Sequence, residues 1–164
     1  MKVLKVGGFI MFTSGKHAGK LMKVTNIHCY SDSVSNWIRV TADPDERNPG
    51  DEVYIEIFDN DPRNVFAFEL FEEFPASTKP GDPPLVITTN EEGSPEYVCM
   101  DPEATDKCNK GLEAEYTENY QRHSIVHWEY ETSDMSRQLS VHCEDGYVKV
   151  FTGQMFNESS ITVI

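Results

Sequence analysis

Leu139-Ser140-Val141-His142-Cys143-Glu144-Asp145-Gly146-Tyr147-Val148-Lys149-Val150-Phe151 reads as two strands joined by a two-residue loop. An Asp-Gly pair between alternating segments suits a type I′ turn, whose two central residues need positive φ, and such a turn sets the pairing register. In that register Cys143 faces Val148 and Val141 faces Val150, on one face with Leu139. Ser140, His142, Glu144, Lys149 and Phe151 take the other face. Cys143 is therefore expected to be a core thiol.

Working outward, Val126, Trp128 and Tyr130 alternate just upstream and supply a third strand to the same sheet. Alternation recurs in the first half, as in Val53, Ile55, Ile57 and in Phe66, Phe68, Leu70, which put apolar side chains on one face. The expected strands there are Lys5 to Phe12, Gly19 to Cys29, Trp37 to Thr41, Glu52 to Asp59 and Asn64 to Phe71, separated by turn-rich segments. Asp101-Pro102-Glu103 offers an N-cap, a proline at the first helical position and an acid in the first turn, with Gly111 as a stop. One short helix is predicted near 102–110. Leu112, Tyr116 and Tyr120, at spacing four, could extend helical structure beyond it.

Pro75 to Pro84 carries four prolines and one glycine in ten residues. Such a stretch stiffens the chain and cannot continue a sheet ladder. The division it suggests is an SH3-like β-barrel over 1–74, a Pro-rich linker over 75–84, and an antiparallel β-sheet with the short helix over 85–164. A single domain crossed by a rigid connection is the other reading. The fold class is mainly β, with α+β as the alternative.

The chain has 164 residues, ordinary apolar content, and nine Phe, seven Tyr and two Trp, which excludes disorder as the expectation. The N-terminus lacks the apolar stretch of a signal peptide, and no run approaches the roughly 20 apolar residues of a membrane span. A cytoplasmic location and no membrane partner are expected, with Cys29, Cys99, Cys108 and Cys143 as free thiols.

Phe9-Ile10-Met11-Phe12-Thr13-Ser14-Gly15-Lys16-His17-Ala18-Gly19-Lys20-Leu21-Met22-Lys23-Val24 resembles the KOW motif of SH3-like barrels in ribosomal proteins and transcription elongation factors. It departs from that pattern at Met22, where the family usually carries a further glycine. The resemblance implies a strand, a Gly-Lys turn and a second strand. It further implies a basic loop of Lys16, His17, Lys20 and Lys23 facing RNA or a polymerase-associated surface, with Trp37 or Tyr30 available for stacking.

No catalytic or metal signature accompanies these elements. His28, Cys29, Cys99, Cys108, His123, His127, His142 and Cys143 lack metal-ligand spacing, and on a strand His123 and His127 share a face about 13 Å apart. Leu21 stands where a phosphate loop needs a hydroxyl. Glu72-Glu73, Glu91-Glu92 and Glu144-Asp145 read as solvated acids. No catalytic residue, metal or cofactor is assigned.

Charge is the functional signal. The net charge is −14, yet residues 1–42 hold six Lys/Arg against one acid, so that segment is +5 and the remainder −19. The densest acidic stretch comprises Asp43, Asp45, Glu46, Asp51, Glu52, Glu56, Asp59 and Asp61, with Arg47 interrupting it. Acids two apart on a strand lie about 6.8 Å apart on one side, a spacing suited to a partner that grips phosphates. The reading is a non-enzymatic acidic binding protein that docks on a basic partner protein. Its sharpest version is a phage-type inhibitor that mimics nucleic acid before a nucleic-acid-processing enzyme. The alternatives are a KOW-like module for RNA or the transcription and translation machinery, acting through Lys16, His17, Lys20, Lys23 and Trp37, and a virion or assembly component.

Overall fold

A computed structural model describes residues 3–44, 51–59, 64–75, 83–100 and 111–164. Among them the chain is mainly β. In order, the strands are β1 Phe9–Phe12, β2 Leu21–Ser31, β3 Asn36–Asp43, β4 Val53–Phe58, β5 Asn64–Pro75, β6 Val86–Thr88 and β7 Glu96–Cys99. They continue with β8 Leu112–Glu118, β9 Gln121–Glu131, β10 Gln138–Glu144, β11 Tyr147–Asn157 and β12 Ile161–Val163. The one helical turn among the described residues is a 3-10 turn at Glu158–Ser160. The helix expected near 102–110 lies outside the described residues. Leu112 and Tyr116 are in strand β8, where Ala114 and Tyr116 are buried at period two. Their spacing of four is thus two strand repeats.

All twelve strands join one sheet, with β12, β1, β2, β3, β4, β5, β11, β10, β9, β7 and β6 in hydrogen-bonded order. Strand β8 pairs with both β2 and β9, so β2-β3-β4-β5-β11-β10-β9-β8 form a closed circuit of eight antiparallel strands. Closure removes the exposed edges that these strands would otherwise present. The hairpin at Asp145-Gly146 has the register read from the sequence, with Cys143 opposite Val148 and Val141 opposite Val150. Both turn residues have positive φ, 50° and 78°.

Three clusters fill the fold. Ile10, Met22, Val24, Val40, Val53, Ile55 and Val65 pack on the outer face of β2 to β5, and Phe156, Ile161 and Val163 complete that layer from the other end of the sequence. A bulge between Val24 and Asn26 shifts the alternation, so that Ile27 keeps to this layer while Tyr30 turns inward. Leu139, Val141 and Val148 form a second layer with Trp128 and Tyr130, covered by Tyr97 of β7. Tyr30, Trp37, Ala114, Tyr116 and Ile125 form the third, inside the circuit.

Strands from before and after the Pro-rich stretch share one sheet: β5 runs alongside β11 from Asn64 to Pro75, and β12 pairs with β1. The SH3-like barrel expected over 1–74 is not confirmed. The Pro-rich stretch does not separate two sheets. Of the four cysteines, Cys29 and Cys143 are free and Cys99 is disulfide-bonded, which corrects the reading of four free thiols.

Candidate functional site

Inside the eight-stranded circuit, polar and charged side chains are buried beside the aromatic cluster. The β3–β4 register sets Arg39 directly opposite Glu56, both pointing inward. Arg39 Nε and Nη2 both donate to Glu56 Oε1, at 3.0 and 2.7 Å. The guanidinium also lies 5.8, 5.3 and 4.7 Å from the ring centroids of Tyr30, Tyr54 and Phe151. Phe151 is on β11, so that last contact crosses the barrel. Burial opposes the charge on Arg39, but Glu56 beside it outweighs burial and raises its pKa. Burial in turn pushes the Glu56 carboxyl up despite the pull of Arg39. Such a pair needs complete hydrogen bonding to persist in a low-dielectric interior.

A second polar chain runs beside it. Asp32, in the β2–β3 turn, accepts from the backbone N–H groups of Val34 and Ser35 through Oδ1 at 2.8 Å each, and its Oδ2 lies 3.2 Å from His127 Nε2. His127 Nδ1 is 2.9 Å from Glu129 Oε1, which accepts from Ser140 Oγ at 2.8 Å, and His142 Nε2 is 2.9 Å from that same Oγ. The two histidines respond oppositely. Burial lowers the pKa of His127, yet Glu129 and Asp32 raise it further, so the net shift is upward. His142, fully buried with Arg39, His127 and Lys149 adding positive charge nearby, is pushed well below the ordinary value. Ser140 is wholly buried and its hydroxyl is engaged with Glu129, which leaves no approach for a substrate.

Acids gather where the strands end. Antiparallel order puts the C-terminal ends of β3, β5, β8 and β10 at one mouth with the N-terminal ends of β2, β4, β9 and β11. That mouth carries Asp43, Glu52, Glu73, Glu118 and Glu144, with Asp51 and Asp145 flanking. Basic residues stand among them: Lys23 opposite Asp43, Lys149 opposite Glu73 and Arg122 at the start of β9, with His28 3.7 Å from Glu118 and His123 4.0 Å from Glu144. The field is felt inside. Tyr54 is raised by burial first and then by Glu52 and Glu73, and Tyr30 is pushed up to about 12 by burial, with Glu144 and Glu118 contributing.

The acidic residues singled out in the sequence are therefore dispersed. Asp43, Asp51 and Glu52 belong to the mouth, while Asp59 follows β4 at the opposite end. Glu56, 3% exposed and paired with Arg39, is no surface acid. Asp45, Glu46 and Asp61 lie outside the described residues. Sequence reasoning missed Glu73, Glu118 and Glu144 as members, because strands far apart in the chain bring them to the same rim; their position at or near strand ends was the available signal.

The basic set is also altered. Lys16 Nζ binds Glu69 at 2.8 Å and His17 Nε2 lies 3.4 Å from the same carboxylate, whose pKa the hydrogen bonds from His17 and Lys16 lower to about 2. They line a cleft of about 230 Å³ together with Glu91, Glu92 and Arg137, a balanced rather than basic surface. Lys20 is exposed and Lys23 half-buried. Trp37 is 3% exposed, stacked between Tyr30 and Phe58, and cannot receive a base. Its Nε1 is buried without a hydrogen-bond partner.

No helix among the described residues is long and apolar enough to cross a membrane. No family model, curated protein or solved structure matches this chain.

Proposed function

We propose that this chain is a non-enzymatic binding protein that docks a basic partner protein on the acidic mouth of its barrel. The observation carrying this reading is the convergence on one rim of Asp43, Glu73, Glu118 and Glu144 from four strands and of Glu52 just before β4. A closed barrel gathers such a rim before the partner arrives, so the partner meets preorganised charge at a reduced ordering cost. An excess of acids over bases around a mouth steers a basic protein towards it and makes its capture fast and salt-sensitive. The partner class that fits is a protein whose basic surface normally grips phosphates, and the rim would compete for that surface.

The test is capture from a nuclease-treated lysate by the immobilised protein at low and high salt. Wild type should retain a basic protein that salt releases, and the Glu52→Lys/Glu73→Lys variant should lose it while keeping its thermal transition. Lys16→Ala/Lys20→Ala should capture as wild type does. Loss of capture by the lysine variant with retention by the glutamate variant would instead support the KOW-like reading.

A further inference from the structure

We propose that His123, Glu144 and Asp145 form a binding site for a divalent transition-metal ion, zinc being the best chemical match. One ligand atom from each residue lies within 4.8 Å of the other two. Two neighbouring strands and a turn deliver them: His123 from β9, Glu144 from the end of β10, and Asp145 from the turn that follows. His123 Nδ1 faces Glu144 Oε1 at 4.0 Å. In a tetrahedral site with bonds of about 2.0–2.2 Å the ligand atoms stand about 3.4 Å apart, so an entering ion needs only a small inward rotation of the two side chains.

The donor set argues for the class of ion. An imidazole with two carboxylates suits zinc and its transition-metal neighbours, whereas calcium and magnesium prefer oxygen alone. Three protein ligands leave a coordination position open to water. The surroundings are those of a ligand shell. Tyr116 donates its hydroxyl to Glu144, and its ring stacks on His123 at 4.9 Å with 15° between planes, so one residue orients both ligands from behind. Outer partners of this kind commonly set metal affinity by 10–100-fold. Access is open. Asp145 is exposed, and a cavity of about 330 Å³ lined by Glu113, Glu115 and Ser124 opens beside Glu144 and Asp145. The site stands whether or not the mouth docks a protein.

Zinc chloride titrated alone into the purified protein at pH 7, followed by calorimetry, tests the site. Wild type should take up one ion saturably. His123→Ala and Glu144→Gln should each weaken uptake at least tenfold, and Tyr116→Phe about tenfold, while Glu52→Gln on the same mouth should leave it unchanged. Absence of saturable uptake, or His123→Ala binding as wild type, overturns the site. So does equal weakening by Glu52→Gln, which would assign uptake to diffuse charge. Imidazole resonances give a readout in the unaltered protein: zinc should shift those of His123, and an unmoved His123 signal overturns the proposal even if a variant fails to fold.

Discussion

The Arg39 guanidinium and the Glu56 carboxylate meet at 2.7 Å inside a closed barrel, with side-chain exposures of 6% and 4%. Each has exchanged water for the other, and three aromatic rings complete the shell around the cation. Arg39→Met strands a carboxylate in the interior and should cost about 3–5 kcal/mol in urea unfolding, whereas the double variant Arg39→Met/Glu56→Leu should recover most of that loss. A single variant as stable as wild type would mean the pair is solvated.

His142 should make the fold acid-sensitive. Its folded pKa lies well below the ordinary 6.5, so as pH falls below 6.5 the unfolded chain takes up a proton that the folded protein refuses. Stability should drop by up to about 2 kcal/mol between pH 7 and pH 5, and His142→Gln should flatten that slope. His127 acts with the opposite sign. Its raised folded pKa contributes stability that is fully present below pH 6.5 and is lost as pH rises through the folded value. His127→Gln should therefore steepen the acid loss. Denaturation curves at stepped pH separate the two.

At Gly153 the β5–β11 ladder leaves no room for a side chain. A Cβ there would lie 2.1 Å from the Ala67 carbonyl oxygen and 2.8 Å from its carbon. Neither atom can swing aside, because both belong to a paired strand. Gly153→Ala should cost about 1–3 kcal/mol. At about 2–4 °C per kcal/mol for a chain of this size, calorimetry should show a fall of several degrees in Tm.

Local features were the legible ones. Asp145-Gly146 declared the hairpin, and Leu139, Val141 and Cys143 declared its apolar face, because turn chemistry and alternation act over a few residues. The opposite face was harder. Ser140, His142 and Glu56 look like solvent residues by alternation, yet a barrel buries the inward face as well as the outward face that further strands cover. That closure depends on pairings such as Glu73 with Lys149, which no short window contains. The acidic rim was half legible for the same reason. Asp43 and Glu52 sit near each other in sequence, whereas Glu118 and Glu144 join them only through the circuit.

The circuit is completed between β2 and β8 by two residue pairs, Tyr30 with Tyr116 and Ser31 with Glu115, against seven pairs between β8 and β9. A ring so unevenly stitched has a clasp. Parting it sacrifices two rungs, the contacts of the Tyr116 ring with Tyr30 at 4.7 Å and His28 at 5.4 Å, and the 3.7 Å approach of His28 to Glu118, leaves every longer ladder intact, and lets water reach Trp37, Arg39 and His127. Deuterium should accordingly enter the amides of this seam well ahead of those of β10, and the barrel can breathe along one line while the rest of its wall stays shut.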